Sequence, residues 1–263
     1  MDEMVHVDQK AAMGSTTTQI GVQNNYVGMS SSDACALATN LFLENFPKLQ
    51  EEAMKIARQR VDEFVDTLLH KLDERKITDY SVFADPDVQY VLYEAQKKYA
   101  RMGAKEQLSI LTDILLERLV CGDDMSRKNI IDQAIKTAGL LSRDQLDTLA
   151  VLMLVKHVNL HFNDIEQLQN ALLEWHSIFP NVNPNHISYL NSQGCLELHV
   201  MGICRCLATM YKFNEEDVKR VCPSNIANLH SDYGLSLIGK VIAMIHIQNK
   251  STYIFDLDKW IQC

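Results

Sequence analysis

The sequence predicts a mainly α chain: a multi-helix bundle, a small C-terminal α+β domain, and a short polar strand or arm at the N-terminus. Three observations predict it. Over residues 86–155 apolar side chains recur every three or four positions, as in Val88, Val91, Leu92, Ala95 and Tyr99, then Leu108, Leu111, Leu115 and Leu119. That spacing lays one apolar stripe along each of several successive helices, and the stripes must be buried against one another. Next, Leu149–Val155 is apolar on all sides, so its helix belongs inside a bundle. Finally, the cluster Pro180–Asn185 breaks the helical pattern and divides a bundle at 32–180 from a mixed domain at 181–263.

Taken in order, residues 1–31 are rich in Thr, Gln, Asn and Gly, with strand character at Ile20, Val22 and Tyr26. Composition fits an unstructured arm. It fits equally a polar strand that pairs with copies of itself, because Gln and Asn ladders stabilise stacked strands. The second reading makes 1–31 an oligomerisation arm and Ile20, Val22 and Tyr26 its contact residues. Ser31, Ser32 and Asp33 then cap a first helix, and Pro47 starts a second that runs to residue 75. Leu49, Ala53, Ile56, Ala57, Val61, Phe64, Val65, Leu68 and Leu72 form its stripe, suited to packing on the domain or to a coiled-coil-like contact between subunits.

Asp85 and Pro86 open the next helix, Gly103 and the Cys121–Asp124 run are stops, and Ser126 and Ser142 are expected caps. The buried helix is expected to end around Leu160–Asn163, and Asp164 to cap another. Beyond Asn185, a helix ending at Gly194, helices over 195–211 and 215–222, a last helix after Tyr233, and a terminal strand over Thr252–Leu257 complete the prediction.

The net charge is −9, with 25 basic against 34 acidic residues, and residues 184–263 carry no basic excess. An acidic surface repels phosphate backbones, so nucleic acid is not an expected partner. No apolar run approaches the roughly 20 residues of a membrane span. The acidic Met1–Met4 start lacks the basic region of a signal peptide, and seven cysteines show no disulfide framework. A reducing cytoplasm is the expected compartment.

For chemistry, Cys195, His199, Cys204, Cys206, Cys222 and His230 fall close together in sequence. Zinc sites use CxxC-type knuckles, whereas these spacings are CxxxH and CxC. Buried thiols are therefore expected, with Cys195, His199, Cys204 and Cys206 the candidates if a metal binds. His157 and His161, four apart, would share one side of a helix; without a nearby Glu-x-x-His arrangement they read as residues near a helix C-terminus. Gly234–Lys240 matches GxxxxGK by letter, but its centre is apolar and Val241 stands where a phosphate loop needs Ser or Thr. GxSxG and HExxH are absent. No catalytic residue and no cofactor are predicted, and the chain reads as non-enzymatic.

DPDVQYVLYEAQKKYARMG, LLERLV with SRDQLDTLAVLML, and YGLSLIGKVIA together resemble an uncharacterised family of bacterial helical proteins. The arm GSTTTQIGVQNNY resembles leaders that precede bacterial conflict and defence proteins. These resemblances imply a bacterial cytoplasmic protein, a sensor or scaffold in stress or phage defence; the polar arm and the long amphipathic helix add self-assembly, so a homo-oligomer and a protein partner are expected. The Leu235–Ala243 stretch additionally resembles a wing-to-helix passage, which implies the alternative of a winged-helix-like DNA-binding regulator.

Overall fold

The computed structural model describes residues 29–45, 51–199, 201–229 and 232–260. Ile20, Val22 and Tyr26 lie outside them. The chain is mainly α, as the patterning predicts. Its helices are α1 (Ser31–Asn45), α2 (Glu51–Glu74), α3 (Pro86–Met102), α4 (Lys105–Val120), α5 (Met125–Ala138), α6 (Arg143–Lys156) and α7 (Ile165–Ile178). After a 3-10 turn at Pro184–His186 come α8 (Ile187–Ser192), strand β1 (Leu196–Leu198), α9 (Ile203–Tyr211), α10 (Glu215–Val221), α11 (Ser224–Ala227), strand β2 (Tyr233–Leu235), α12 (Leu237–Lys250) and α13 (Leu257–Trp260).

Local chemistry sets most boundaries. At α1 the cap is Ser30: its Oγ accepts from the Asp33 amide, and the Asp33 carboxylate accepts from Ser30 in return. Asp85 caps α3 with Pro86 at the first position, and Gly103, at φ 67°, ends it in the left-handed conformation. The last carbonyls of α3, on Ala100 and Arg101, accept from Arg60 of α2. Ser142 and Gln145 form a capping box at α6. The cap of α5 is Asp124 rather than Ser126, its carboxylate accepting from the amides of Ser126 and Arg127. A carboxylate at that position also meets the positive end of the helix dipole.

The α2 stripe is buried within the chain. Ala57, Val61, Phe64, Val65, Leu68 and Leu72 are covered by α1, α3 and α4, while Ala53 and Ile56 stay exposed. Charged side chains align the seams. Lys71 of α2 bonds Asp113 of α4 at 2.6 Å, and Arg75 bonds Glu117 at 2.6 Å. Arg118, only 3% exposed, joins Asp132 of α5 at 2.9 Å and Asp87 of α3. As predicted, α6 is buried all round: Leu146 to Val155 are solvent-free.

α12 belongs to the 181–263 portion, yet it packs on α4, α5 and α6 of the bundle. It is buried continuously from Val241 to Ile247. β1 and β2 pair antiparallel, with Leu196 opposite Leu235 and Leu198 opposite Tyr233. Helices α9 to α11 occupy the connection between them, where a wing would have a short loop.

Three local expectations are corrected. Residues 195–199 are extended, because Leu196–Leu198 pairs with β2 and the Cys195 carbonyl accepts from Ser236 at 3.0 Å. Cys195 and His199 therefore share no helical face. α6 ends at Lys156, earlier than expected, because the Tyr211 hydroxyl donates to the Val158 carbonyl and accepts from the Leu160 amide. Those backbone groups need no further helical turn. Residues 253–256 form no strand; Tyr253 is docked through its hydroxyl, which accepts from the buried Trp175 indole at 3.2 Å.

Gly239 explains how α12 reaches the β-ribbon. A Cβ there would sit 2.0 Å from the Cys195 carbonyl oxygen. That oxygen is backbone held by Ser236, so it has no flexible route of retreat. We expect Gly239→Ala to destabilise the fold by about 1–3 kcal/mol. Equilibrium urea unfolding measures it, and an unchanged midpoint would show that the α12 contact is looser than described.

Candidate functional site

Asp147 stands in the second turn of α6, just before the apolar Leu149–Val155 run, and is fully buried. An isolated carboxylate there would cost several kcal/mol, so every lone pair needs a partner. Its Oδ1 accepts from His246 Nε2 at 2.8 Å and from Lys250 Nζ at 3.0 Å. Its Oδ2 accepts from the Asn181 side-chain amide at 3.0 Å and the Asn181 backbone N–H at 3.4 Å. Next door, the Thr148 hydroxyl accepts from the Asn183 amide. The Phe179 ring lies 5.7 Å from the His246 ring and 5.8 Å from the Lys250 ammonium.

Burial pushes the Asp147 carboxyl up, but the bonds from His246 and Lys250 outweigh it and hold the group down at about 2. His246 is pushed down by burial, against the pull of Asp147. The pair is thus an ionised carboxylate and a neutral imidazole that donates through Nε2, leaving Nδ1 as the ring's acceptor.

His246 and Lys250 also line a cleft between α4 and α12, together with Asn249, Lys105, Glu106, Ser109 and Ile110; its volume is about 230 Å³. That is somewhat below the ~300–1,000 Å³ of pockets for drug-sized molecules. The Ser109 hydroxyl donates to the Asp113 carboxylate at 3.4 Å. Lys71 donates to its hydroxyl at 3.2 Å, but the same ammonium bonds Asp113 at 2.6 Å. Burial lowers the Lys71 pKa while Asp113 opposes it, and the ion pair favours the protonated form. The cleft therefore offers fixed donors and acceptors for binding.

A second polar cluster closes the other end of α6. Lys156, 5% exposed, donates to the carbonyls of Met201 at 3.0 Å and Tyr233 at 2.7 Å. His157 Nε2 accepts from the Leu235 amide at 2.9 Å, which requires a neutral ring. Burial, then the neighbouring Lys240, His199 and Lys156 side chains, push His157 down to about 4. His161 lies in exposed coil beyond the end of α6 and shares no helix side with His157.

The four metal candidates do not converge. Among the described residues no three His, Cys, Asp or Glu side chains could hold a metal ion together. Cys195 is buried beneath Gly239, Cys206 is buried on α9, His199 follows β1, and Cys204 is half-buried at the start of α9. His230 lies outside the described residues. Sequence reasoning passed over Asp147, His246 and Lys250. The available signal was a charge beside the apolar Leu149–Val155 run, and a His–Lys pair four apart at the end of another helix.

Two outcomes follow. Asp147→Ala strands four donor groups, on His246, Lys250 and Asn181, and should cost about 3–5 kcal/mol in urea unfolding; a loss below about 1 kcal/mol would contradict the network. For His157, the unfolded chain takes a proton below pH 6.5 while the native ring resists it to about pH 4. Its stabilisation is thus whole above pH 6.5 and drains as pH falls towards 4, by roughly 1 kcal/mol per unit. His157→Gln should flatten that part of the stability–pH curve. Asp147 acts lower, its share lost as pH falls from about 3.8 through 2. An equal slope in both proteins would exclude His157 as the titrating group.

Comparison with known proteins adds a family. No curated protein and no solved structure matches the chain. A family model matches most of it, and the chain belongs to that uncharacterised family, described as “:-like”, over residues 28–230.

Proposed function

We propose that this protein is a non-enzymatic sensor or scaffold: a helical body that binds a small polar ligand in the α4–α12 cleft and assembles with copies of itself through the 1–31 arm. The observation that carries the binding half is the cleft itself, about 230 Å³ and walled by His246 and Lys250, which Asp147 holds in place. Side chains locked by a buried partner lose little further entropy on binding, which favours recognition. The mix of Lys105 and Lys250 with Glu106, Ser109 and Asn249 suits a ligand that carries both charge and hydrogen-bonding groups. The assembly half rests on the Thr/Gln/Asn composition of the arm, and a role in bacterial stress or phage defence rests on its resemblance to defence-protein leaders. Among the described residues no helix is long and apolar enough to cross a membrane. Residence in the cytoplasm is part of the same proposal.

The DNA-binding alternative has less behind it. The passage that resembles a wing-to-helix junction leads into α12, whose Val241–Ile247 stretch is core.

Asn249→Trp, placed at the cleft, should leave the fold intact and abolish the thermal shifts that small amino-acid, nucleoside or sugar-phosphate libraries give the wild type. Shifts that survive the substitution would move the ligand elsewhere. Assembly has its own test. Ile20→Pro removes one ladder hydrogen bond per subunit, worth about 1 kcal/mol, and a loss repeated around an assembly is enough to dissolve it. Light scattering should then report monomers with an unchanged melting temperature. Normal assembly by Ile20→Pro would reduce the arm to a tail.

A further inference from the structure

We propose that the α4–α12 cleft binds a sugar acid, a small polyhydroxylated monocarboxylate, with its carboxylate at Lys105 and its hydroxyls on Ser109, Glu106, His246 and Asn249. This rests on the reading of the cleft as a ligand site and adds the chemical class of the ligand. The hydrogen-bonding positions that the fold leaves open along the cleft carry it. His246 is 1% exposed and lines the cleft. Its Nε2 is taken by Asp147 at 2.8 Å, and its Nδ1 has no hydrogen-bond partner among the described residues. The Ser109 oxygen gives its proton to Asp113 and accepts from Lys71 at 3.2 Å, which leaves it one lone pair. Glu106 meets Arg143 through one carboxylate oxygen at 3.5 Å, and its other oxygen makes no bond among the described residues.

Each of these is an acceptor, and an acceptor shut off from water by a ligand must be met by that ligand or be left unsatisfied at a cost. A phosphate dianion or a bare carboxylate brings acceptors alone. Hydroxyls bring a donor each and can still accept from the Asn249 amide and from the Lys250 N–H groups that Asp147 does not use. Ile110, 1% exposed, adds an apolar surface for the C–H side of the carbon chain.

Charge sets the rest. Lys250 is offset by Asp147 at 3.0 Å, Lys71 behind Ser109 is offset by Asp113, and Glu106 is offset by Arg143. Lys105, the first residue of α4, forms no ion pair among the described residues. One cation without a counterion calls for one negative charge on the ligand. A zwitterion also supplies donors, but its ammonium at His246 Nδ1 would lie beside Lys250, whose charge already opposes a proton on that ring. Hydroxyls deliver the same hydrogens without that repulsion.

Isothermal titration of the full-length protein with D-gluconate tests the assignment, beside three matched ligands. Sorbitol has the hydroxyls without the carboxylate, acetate has the carboxylate without the hydroxyls, and L-serine adds an ammonium. Gluconate should bind, and the other three should bind at least about tenfold more weakly. Lys105→Gln, at an exposed position, should weaken gluconate about tenfold with an unchanged thermal melt, and Asn249→Trp should abolish its binding. No binding of gluconate, sorbitol or acetate binding as tightly, or an unchanged affinity in Lys105→Gln overturns the inference. L-Serine, adenosine or inorganic phosphate binding more tightly than gluconate, and losing that binding in Asn249→Trp, also overturns it while leaving the cleft a ligand site. If gluconate binding survives Asn249→Trp, the reading of the cleft falls with it.

Discussion

The structure depends on keeping one carboxylate ionised at its centre. Asp147 has no access to water, and a buried charge without partners is among the costliest features a fold can carry. The chain meets that cost with donors from two distant places: His246 and Lys250 lie 99 and 103 residues away, and Asn181 lies in the turn after α7. Satisfying both oxygens fixes the rotation and height of α12 against α6. It also pulls the 181–183 segment onto the start of α6. At the other end of α12, Gly239 settles on the Cys195 backbone. A helix held by a charge at one end and by a glycine contact at the other has little freedom left.

Other buried charges repeat the logic more locally. Arg118 holds the end of α4 to the start of α3 and to α5 through Asp87 and Asp132. Lys71 and Arg75 set α2 against α4. Replacing such a pair with apolar groups need not weaken a protein, but moving one helix past another would strand a charge. Their effect is on registry: apolar stripes tolerate sliding, whereas an ammonium 2.6 Å from its carboxylate does not.

What could be read in advance was what is local. The stripes of α2 to α4, the apolar wrap of α6, and the caps at Asp85, Ser142 and Asp164 all depend on residues within a few positions of one another. The departures share the opposite property. β1 exists because Leu196–Leu198 finds a partner strand beyond three helices, and no local pattern announces such a pairing. α6 stops at Lys156 because Tyr211, 51 and 53 residues on, takes over the Leu160 and Val158 backbone groups. The site was hidden for the same reason. Asp147 and His246 lie 99 residues apart in sequence, and their meeting is a fact of the tertiary fold. The metal candidates failed in mirror image, since cysteines close in sequence were separated once residues 195–199 became extended.

The two polar ends of α6 are served by one continuous segment. Tyr233 and Leu235 of β2 take Lys156 and His157, and α12 then runs back along α6 to deliver His246 and Lys250 to Asp147. Between these grips the buried residues are apolar, Leu149 to Val155 on α6 and Val241 to Ile245 on α12. Apolar packing supplies attraction without address, and the polar groups at each end supply the address. One grip depends on a neutral imidazole accepting from a backbone amide, the other on a neutral imidazole donating to a carboxylate. Protonating His157 abolishes the first bond outright, because imidazolium has no acceptor. Protonating His246 leaves the second in place and adds a cation beside Lys250. The β-ribbon end of the clamp is thus the acid-sensitive end, while the cleft end, with Asp147 ionised down to about pH 2, keeps its geometry.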